Sequence, residues 1–308
     1  MWVMSCGEAV SGCSTPTAAL KEAGEAIGWK VNVCDGQLNP TGFATCIRQA
    51  VSAKAEVLIP VGVDCTTSQQ AFMEAKQAGV LIVGGGGANN CAGDSPWASE
   101  RLQLEGKTLK EFWEATGKLQ ADYIIGKTDG KAKTLVLNFT DQVWGGWITE
   151  GFKKELETCA ECEVVATLDM TNNDIISNTA AQKFSSALLG APSANSVIVP
   201  NDGWLTGGLA AAVKQSGRDL VVIGRGGEAP NMNLISTNGG QTATVGYAAQ
   251  WGAWGSVDTA ARMLDGQKAP YQGDGIQVVD ADHNMPESGK DFQGPLDFRA
   301  KYLAAWGK

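Results

Sequence analysis

The chain has 308 residues, which at about 150 residues per domain suggests two domains. Its 44% apolar content is that of a chain with a sizeable core, which excludes the disordered and fibrous classes. With 33 acidic against 24 basic residues and no basic run, it is poorly suited to nucleic acid or anionic lipid, whose phosphates require Lys and Arg.

Short apolar runs alternate with amphipathic stretches from the start. The pattern predicts strand Trp2–Ser5, helix Thr15–Ile27, strand Lys30–Cys34, helix Pro40–Ser52, strand Val57–Val61, helix Ser68–Ala78 and strand Val80–Val83. In the helix from Pro40, Phe43, Ile47, Ala50 and Val51 share one face. A looser stretch rich in Gly, Asn and Ser follows, from Gly84 to about Gly106.

The alternation then restarts with helix Phe112–Gly126, strand Thr134–Phe139, helix Trp144–Glu157, strand Glu163–Leu168, helix Asp174–Leu189 and strand Ser196–Val199. Helix Leu205–Gln215, strand Leu220–Gly224, strand Thr242–Tyr247, helix Gly252–Leu264 and strand Ile276–Val279 complete it. The tail beyond Val279 has no assigned element. The strands are apolar throughout, as when helices cover both sheet faces. This rhythm means parallel sheets with right-handed crossovers, and two such sets mean two doubly wound α/β (Rossmann-like) domains. In these, ligands gather at the carboxyl ends of the strands.

No apolar stretch reaches the roughly 20 residues needed to cross a bilayer. Because Trp2, Val3 and Met4 read as a strand, a mature chain whose export signal has been removed is expected. The eight cysteines fall into near neighbours, Cys6 with Cys13, Cys34 with Cys46, Cys65 with Cys91 and Cys159 with Cys162. An even, closely spaced set suits disulfides in an oxidising compartment. The connectivity stays open, since pairs such as Cys6 with Cys34 also end neighbouring strands.

The chemistry of catalysis is thinly represented. The one histidine, His283, sits in a polar, Pro-containing tail, far from any nucleophile or from the close thiol spacing Cys159-Ala160-Glu161-Cys162. Gly84 to Gly87 could suggest a phosphate cradle, but neither GK[ST] nor GxGxxG follows. No cofactor, no metal and no enzymatic activity are therefore expected. Glycines after a parallel strand instead let the backbone approach a ligand or turn sharply.

Polar groups stand just after each strand: Ser5, Gly7, Asp64, Gly85 and Asn89 in the first half, and Asp141, Asp169, Asn201, Arg225 and Glu228 in the second. Such short groups donate to and accept from ligand hydroxyls, although any one of them also serves as a cap or turn former. Asp202, before a helix, reads as such a cap. Trp144, Trp147, Trp204 and Trp251 also follow strands, where an indole face can stack on a sugar ring. Trp29, Trp113 and Trp306 lie away from strand ends and read as packing.

A resemblance sharpens this reading. The run Trp29–Gly85, with Asp35, Asn39-Pro40, Ala55-Glu56-Val57-Leu58-Ile59-Pro60 and Ala75-Lys76-Gln77-Ala78-Gly79-Val80, looks like the first lobe of type I periplasmic binding proteins of the sugar-binding, ribose-like group. Val197-Ile198-Val199-Pro200-Asn201-Asp202 with Val221-Val222-Ile223-Gly224, then Ala243-Thr244-Val245-Gly246 with the helix to Leu264, continue the match in order.

The resemblance implies two lobes joined by a three-segment hinge: 1–113 plus 248–273, and 114–247 plus 274–308. It implies an extracytoplasmic component of an ABC importer, a monomer that captures a sugar, polyol or sugar derivative by hinge closure in an interlobe cleft and delivers it to permease subunits. Asn201 falls where the family has a ligand-binding Asn, and Tyr247 where it has a hinge-strand contact. Gly84-Gly85-Gly86 replaces an Asp-Arg pair, and Arg225-Gly226 replaces an Asp-containing turn. These departures point away from a simple pentose or hexose and leave an aromatic or nucleoside solute as an alternative. The effector domain of a transcription regulator is a further one, disfavoured because no helix-turn-helix precedes Trp2 and eight cysteines suit the cytosol poorly.

Overall fold

A computed structural model describes all residues, 1–308, as two compact units. The first comprises Met1–Leu109, Ala249–Asp274 and Pro295–Lys308; the second comprises Lys110–Ala248 and Gly275–Gly294.

The first unit opens with β1 (Trp2–Ser5), α1 (Ser11–Ala26), β2 (Asn32–Asp35), α2 (Pro40–Ser52), β3 (Val57–Pro60), α3 (Gln69–Gln77) and β4 (Leu81–Ile82). Its four strands lie in the order β2-β1-β3-β4, all parallel. α2 has the bounds its signals indicate: the Asn39 side chain accepts from the Gly42 amide at 2.8 Å, with Pro40 following. α1 begins a turn earlier than expected, at Ser11, and keeps Pro16 inside it. The central β3 is buried at every position, whereas the edge strand β2 alternates. Met4, Phe43, Ile47, Leu58, Phe72 and Ile82 form the core between sheet and helices.

The second unit runs α4 (Leu109–Lys127, entering from the first), β5 (Lys133–Phe139), α5 (Val143–Leu156), β6 (Glu163–Met170), α6 (Asn172–Ile176), α7 (Ala180–Gly190), β7 (Ser196–Ile198), α8 (Asp202–Trp204), α9 (Ala210–Gln215), β8 (Val221–Gly226), α10 (Ala229–Ser236) and β9 (Ala243–Tyr247). The helix expected over Asp174–Leu189 is two helices. Thr171 and Asp174 cap α6 reciprocally, and Asn178, at φ +56°, turns the chain left-handed before α7. α10, which the sequence reading passed over, carries a Pro in its first turn.

The six strands lie in the order β10-β9-β8-β7-β5-β6, β10 being Ile276–Asp280. β10 pairs antiparallel to β9, so this sheet is mixed at one edge and not wholly parallel. Order reverses between β5 and β7, which makes their carboxyl ends the switch point of this unit.

The remainder of the first unit is α11 (Ala249–Leu264) and α12 (Phe298–Ala305). Residues 295–308, expected with the second lobe, group with the first unit instead. The reason is aromatic: Trp306 stacks on Trp254 of α11 at 5.3 Å, and Phe298 stacks on Trp251 at 5.9 Å. Four disulfides join Cys6–Cys13, Cys34–Cys46, Cys65–Cys91 and Cys159–Cys162, the near-neighbour set among the open alternatives.

Candidate functional site

At the carboxyl ends of the second unit's strands, β8 ends in Gly224-Arg225-Gly226. Alternation along a strand sends Arg225 to one face and leaves its two glycines on the other. On the glycine side, a Cβ at Gly224 would overlap the carboxylate of Asp202, and one at Gly226 would meet Glu228 Oε2 at 2.5 Å. The glycines are there to seat two buried carboxyls.

Asp202 is fully buried and ties the unit's elements together. Its Oδ1 accepts from Gln241 Nε2 at 2.9 Å, its Oδ2 from the Gly227 amide at 3.0 Å, and its carbonyl from Asn231 Nδ2 at 2.9 Å. Burial, then the neighbouring Glu228, pushes its carboxyl up to about 8. Burial raises Glu228 as well, against the opposing pull of Arg225. The cap expected of Asp202 belongs to Asn201, whose Oδ1 accepts from the Gly203 amide at 2.8 Å.

On the other face of β8, the Arg225 guanidinium lies near two tilted rings, 4.3 Å from the centre of Trp113 and 4.4 Å from that of Tyr247. Trp144 stacks on Trp113 at 5.2 Å, Phe139 packs on Trp144 at 5.0 Å, and Trp204 meets Phe139 edge-on at 5.5 Å. Here β5, α5, α8, β8 and β9 bring together Trp144, Trp204, Arg225 and Tyr247 from the expected set. Trp113, read as packing, is buried at the centre of the same cluster. It arrives on α4, not after a strand, so a rule of strand ends misses it.

The remaining candidates stand apart from that cluster. Asp141 is exposed and accepts from the Asn172 amide at 2.7 Å, and Asp169 on the edge strand β6 pairs with Asn138 at 2.7 Å. Trp147 is half-buried on α5.

In the first unit, Ser5 ends β1 fully buried with its hydroxyl unpaired. Gly7 is closely approached by Leu38, where a Cβ would lie 2.7 Å from Cγ. Asp64 accepts from the Ala88 amide at 2.8 Å and fixes the loop that carries Asn89, itself held to Glu100 and Ser95. Gly85 continues the sheet: its amide donates to Pro60 at 3.0 Å and a Cβ would meet that carbonyl at 2.6 Å. Gly84 and Gly87 are likewise required by their own surroundings, Trp97 and the Val63 carbonyl. Gly86 differs: its φ of +111° is what requires a glycine, and a Cβ there would reach only ordinary contact with the Arg101 guanidinium. Trp251 lies in the α11–α12 packing against Phe298.

Doubly wound units with polar groups at their strand ends, and in the second an aromatic cluster as well, are those of a ligand-binding protein. A family model described as periplasmic binding protein domain matches residues 12–268, and the chain belongs to that family.

Among solved structures, a galactofuranose-binding protein superposes with a TM-score of 0.78 at 15% identity, over 91% of this chain and 94% of its own. The arabinose ABC transporter binding component of Shewanella sp. ANA-3, bound to arabinofuranose, gives 0.75 at 16% identity, over 99% and 97%. The 5-methylthioribose transporter solute-binding protein of Thermotoga lettingae, in complex with 5-methylthioribose, gives 0.78 at 15% identity, over 100% and 92%. At such identity the likeness is one of fold. No curated protein sequence matches the chain significantly.

Proposed function

We propose that this protein is the extracytoplasmic solute-binding component of an ABC importer, and that its ligand is a sugar, polyol or sugar derivative. It captures ligand by hinge closure, works as a monomer with membrane permease subunits, and binds without catalysis. The observation that carries the reading is the family match over residues 12–268. The solved structures named above, which bind furanoses and a thioribose, support a sugar-like class. Four disulfides suit an oxidising compartment, which favours this reading over a cytosolic regulator.

The ligand face assigned to the second unit is the Trp113–Trp144–Arg225–Tyr247 cluster, together with Asn201 at the start of α8. Indole faces stack on the C–H face of a sugar ring, and the guanidinium edge donates to hydroxyls. The density of rings favours, as a second reading, a sugar that carries an aromatic or other apolar substituent, such as a nucleoside.

A thermal-shift screen against sugars, polyols, nucleosides and aromatic acids tests the class. A ligand at 100-fold its Kd adds about 2.7 kcal/mol of stability. A shift with nucleosides alone would select the second reading, and none with any compound would remove both.

A further inference from the structure

The first unit holds a polar cluster that none of the sequence candidates includes. Arg101 and Gln103 are 3% exposed and Asp274 is fully buried. The backbone brings them together: the Gln272 amide donates to the Leu102 carbonyl at 2.9 Å and the Gly273 amide to the Gln103 carbonyl at 2.7 Å. This lays the returning segment against the one that carries Arg101 and Gln103. Arg101 Nε stands 3.6 Å from Asp274 Oδ2, an ion pair too long to be a hydrogen bond.

The Gln103 amide lies close enough to act on the charge of Asp274. Yet neither of its polar atoms, nor either carboxylate oxygen of Asp274, completes a hydrogen bond within the chain. A buried polar atom left so is costly, and native folds seldom tolerate several in one place. Four of them, two on each side chain, call for an occupant. Gly86 borders the same group without crowding it: a Cβ there would make only ordinary contact with the Arg101 guanidinium nitrogens, at 3.9 and 4.0 Å.

We infer that Arg101, Gln103 and Asp274 form a ligand subsite for a pair of neighbouring hydroxyls on an uncharged polyol or sugar; the inference rests on the proposed solute-binding function. The donor set selects this chemistry. Asp274 accepts from a hydroxyl hydrogen, Gln103 Nε2 donates to a hydroxyl oxygen, and Gln103 Oε1 accepts from a second hydroxyl. Asp274 repels a carboxylate or phosphate, while Arg101 repels an ammonium group, so the paired charges favour a neutral guest. The Asp274 carboxyl, pushed up to about 6 by burial, is largely ionised at neutral pH and available as an acceptor.

The test is isothermal titration of D-galactose, L-arabinose, D-allose and myo-inositol into the wild type, Gln103→Leu and Asp274→Asn, with the unliganded thermal midpoint of each. The expected result is a compound that binds the wild type and binds both variants at least tenfold more weakly. The unliganded midpoint of Gln103→Leu should be no lower than the wild type's, because an unpaired buried amide is replaced by an apolar group of similar size. Affinities within twofold of the wild type in both variants, whatever the midpoints, overturn the subsite and leave ordered water as its occupant. Failure of the wild type to bind any of the four overturns the subsite together with the sugar and polyol reading, a distinct result.

Discussion

Arg225 holds its guanidinium 4.3 Å from the centre of the Trp113 ring, joining the end of β8 to α4 through a contact between charge and π face. The delocalised guanidinium stays close to both this ring and Tyr247, 4.4 Å away, whereas an ammonium group is compact and strongly hydrated. Arg225→Lys is therefore expected to lower the unfolding free energy by about 0.5–2 kcal/mol, the range of a cation–π contact. If the cluster is the ligand face, it also weakens binding at least tenfold. Urea denaturation and ligand titration on the same preparation read both. Wild-type affinity in the Lys variant would remove Arg225 from the ligand face.

The buried carboxyl of Asp202 makes stability depend on pH in an unusual direction. Its folded pKa, about 8, lies above the ordinary aspartate value of 3.8, so the folded chain binds the proton more tightly than the unfolded one. Its contribution to stability is then fully present below the unfolded value and is lost as pH rises towards the folded one, at up to about 1.4 kcal/mol per pH unit for one proton. Asp274, raised to about 6, contributes to the fall only over the lower part of the range. Between pH 6 and 8, Asp202→Asn should flatten the decline in urea midpoint that the wild type shows. Equal slopes in the two proteins would mean that Asp202 is ionised in the fold.

Much of the fold was legible because its signals are local. Asn39 and Pro40 announce α2, and β1 shows itself as an isolated apolar run. The break at Asn178 is a left-handed turn that a non-Gly residue makes only occasionally, so helical periodicity ran across it. The stripe Phe298, Tyr302, Trp306 behind the capping Asp297 was equally local and was overlooked in a polar tail. The site was less legible for a different reason. Trp113 meets Arg225, and Arg101 meets Asp274, across more than a hundred residues, and no spacing rule reaches that far. The four glycines after β4 also read alike in sequence, yet a Cβ on three of them would collide with its surroundings, whereas Gly86 is set by its φ of +111°.

The disulfides differ in the chain they close, which orders the effects of removing them. Cys65–Cys91 spans a separation of 26 residues and Cys159–Cys162 only 3. In the loop-entropy account these correspond to roughly 3.5 and 1.5 kcal/mol. Replacing Cys65 and Cys91 by Ala should therefore cost about twice as much unfolding free energy as replacing Cys159 and Cys162. Guanidinium denaturation of the two double variants measures the difference. Equal losses would argue that local packing, and not loop closure, sets the contribution.

The stack of Trp306 on Trp254 is nearly coplanar, 3° between rings, and the Trp306 indole donates to Asp258 Oδ1 at 2.9 Å. On the same helix Tyr302 donates to Gln272 Oε1 at 2.6 Å, and Arg299 pairs with Glu22 at 2.8 Å, so α12 grips α1, α11 and the segment leading to Asp274. Trp306→Ala removes both the ring pair and the hydrogen bond and is expected to cost roughly 1.5–2.5 kcal/mol. Trp306→Phe keeps a ring over Trp254 and loses the hydrogen bond, for about 1 kcal/mol. The order Ala below Phe below wild type in urea midpoint is the signature of a stack that contributes on its own. Identical midpoints for Ala and Phe would assign the whole effect to the bond with Asp258.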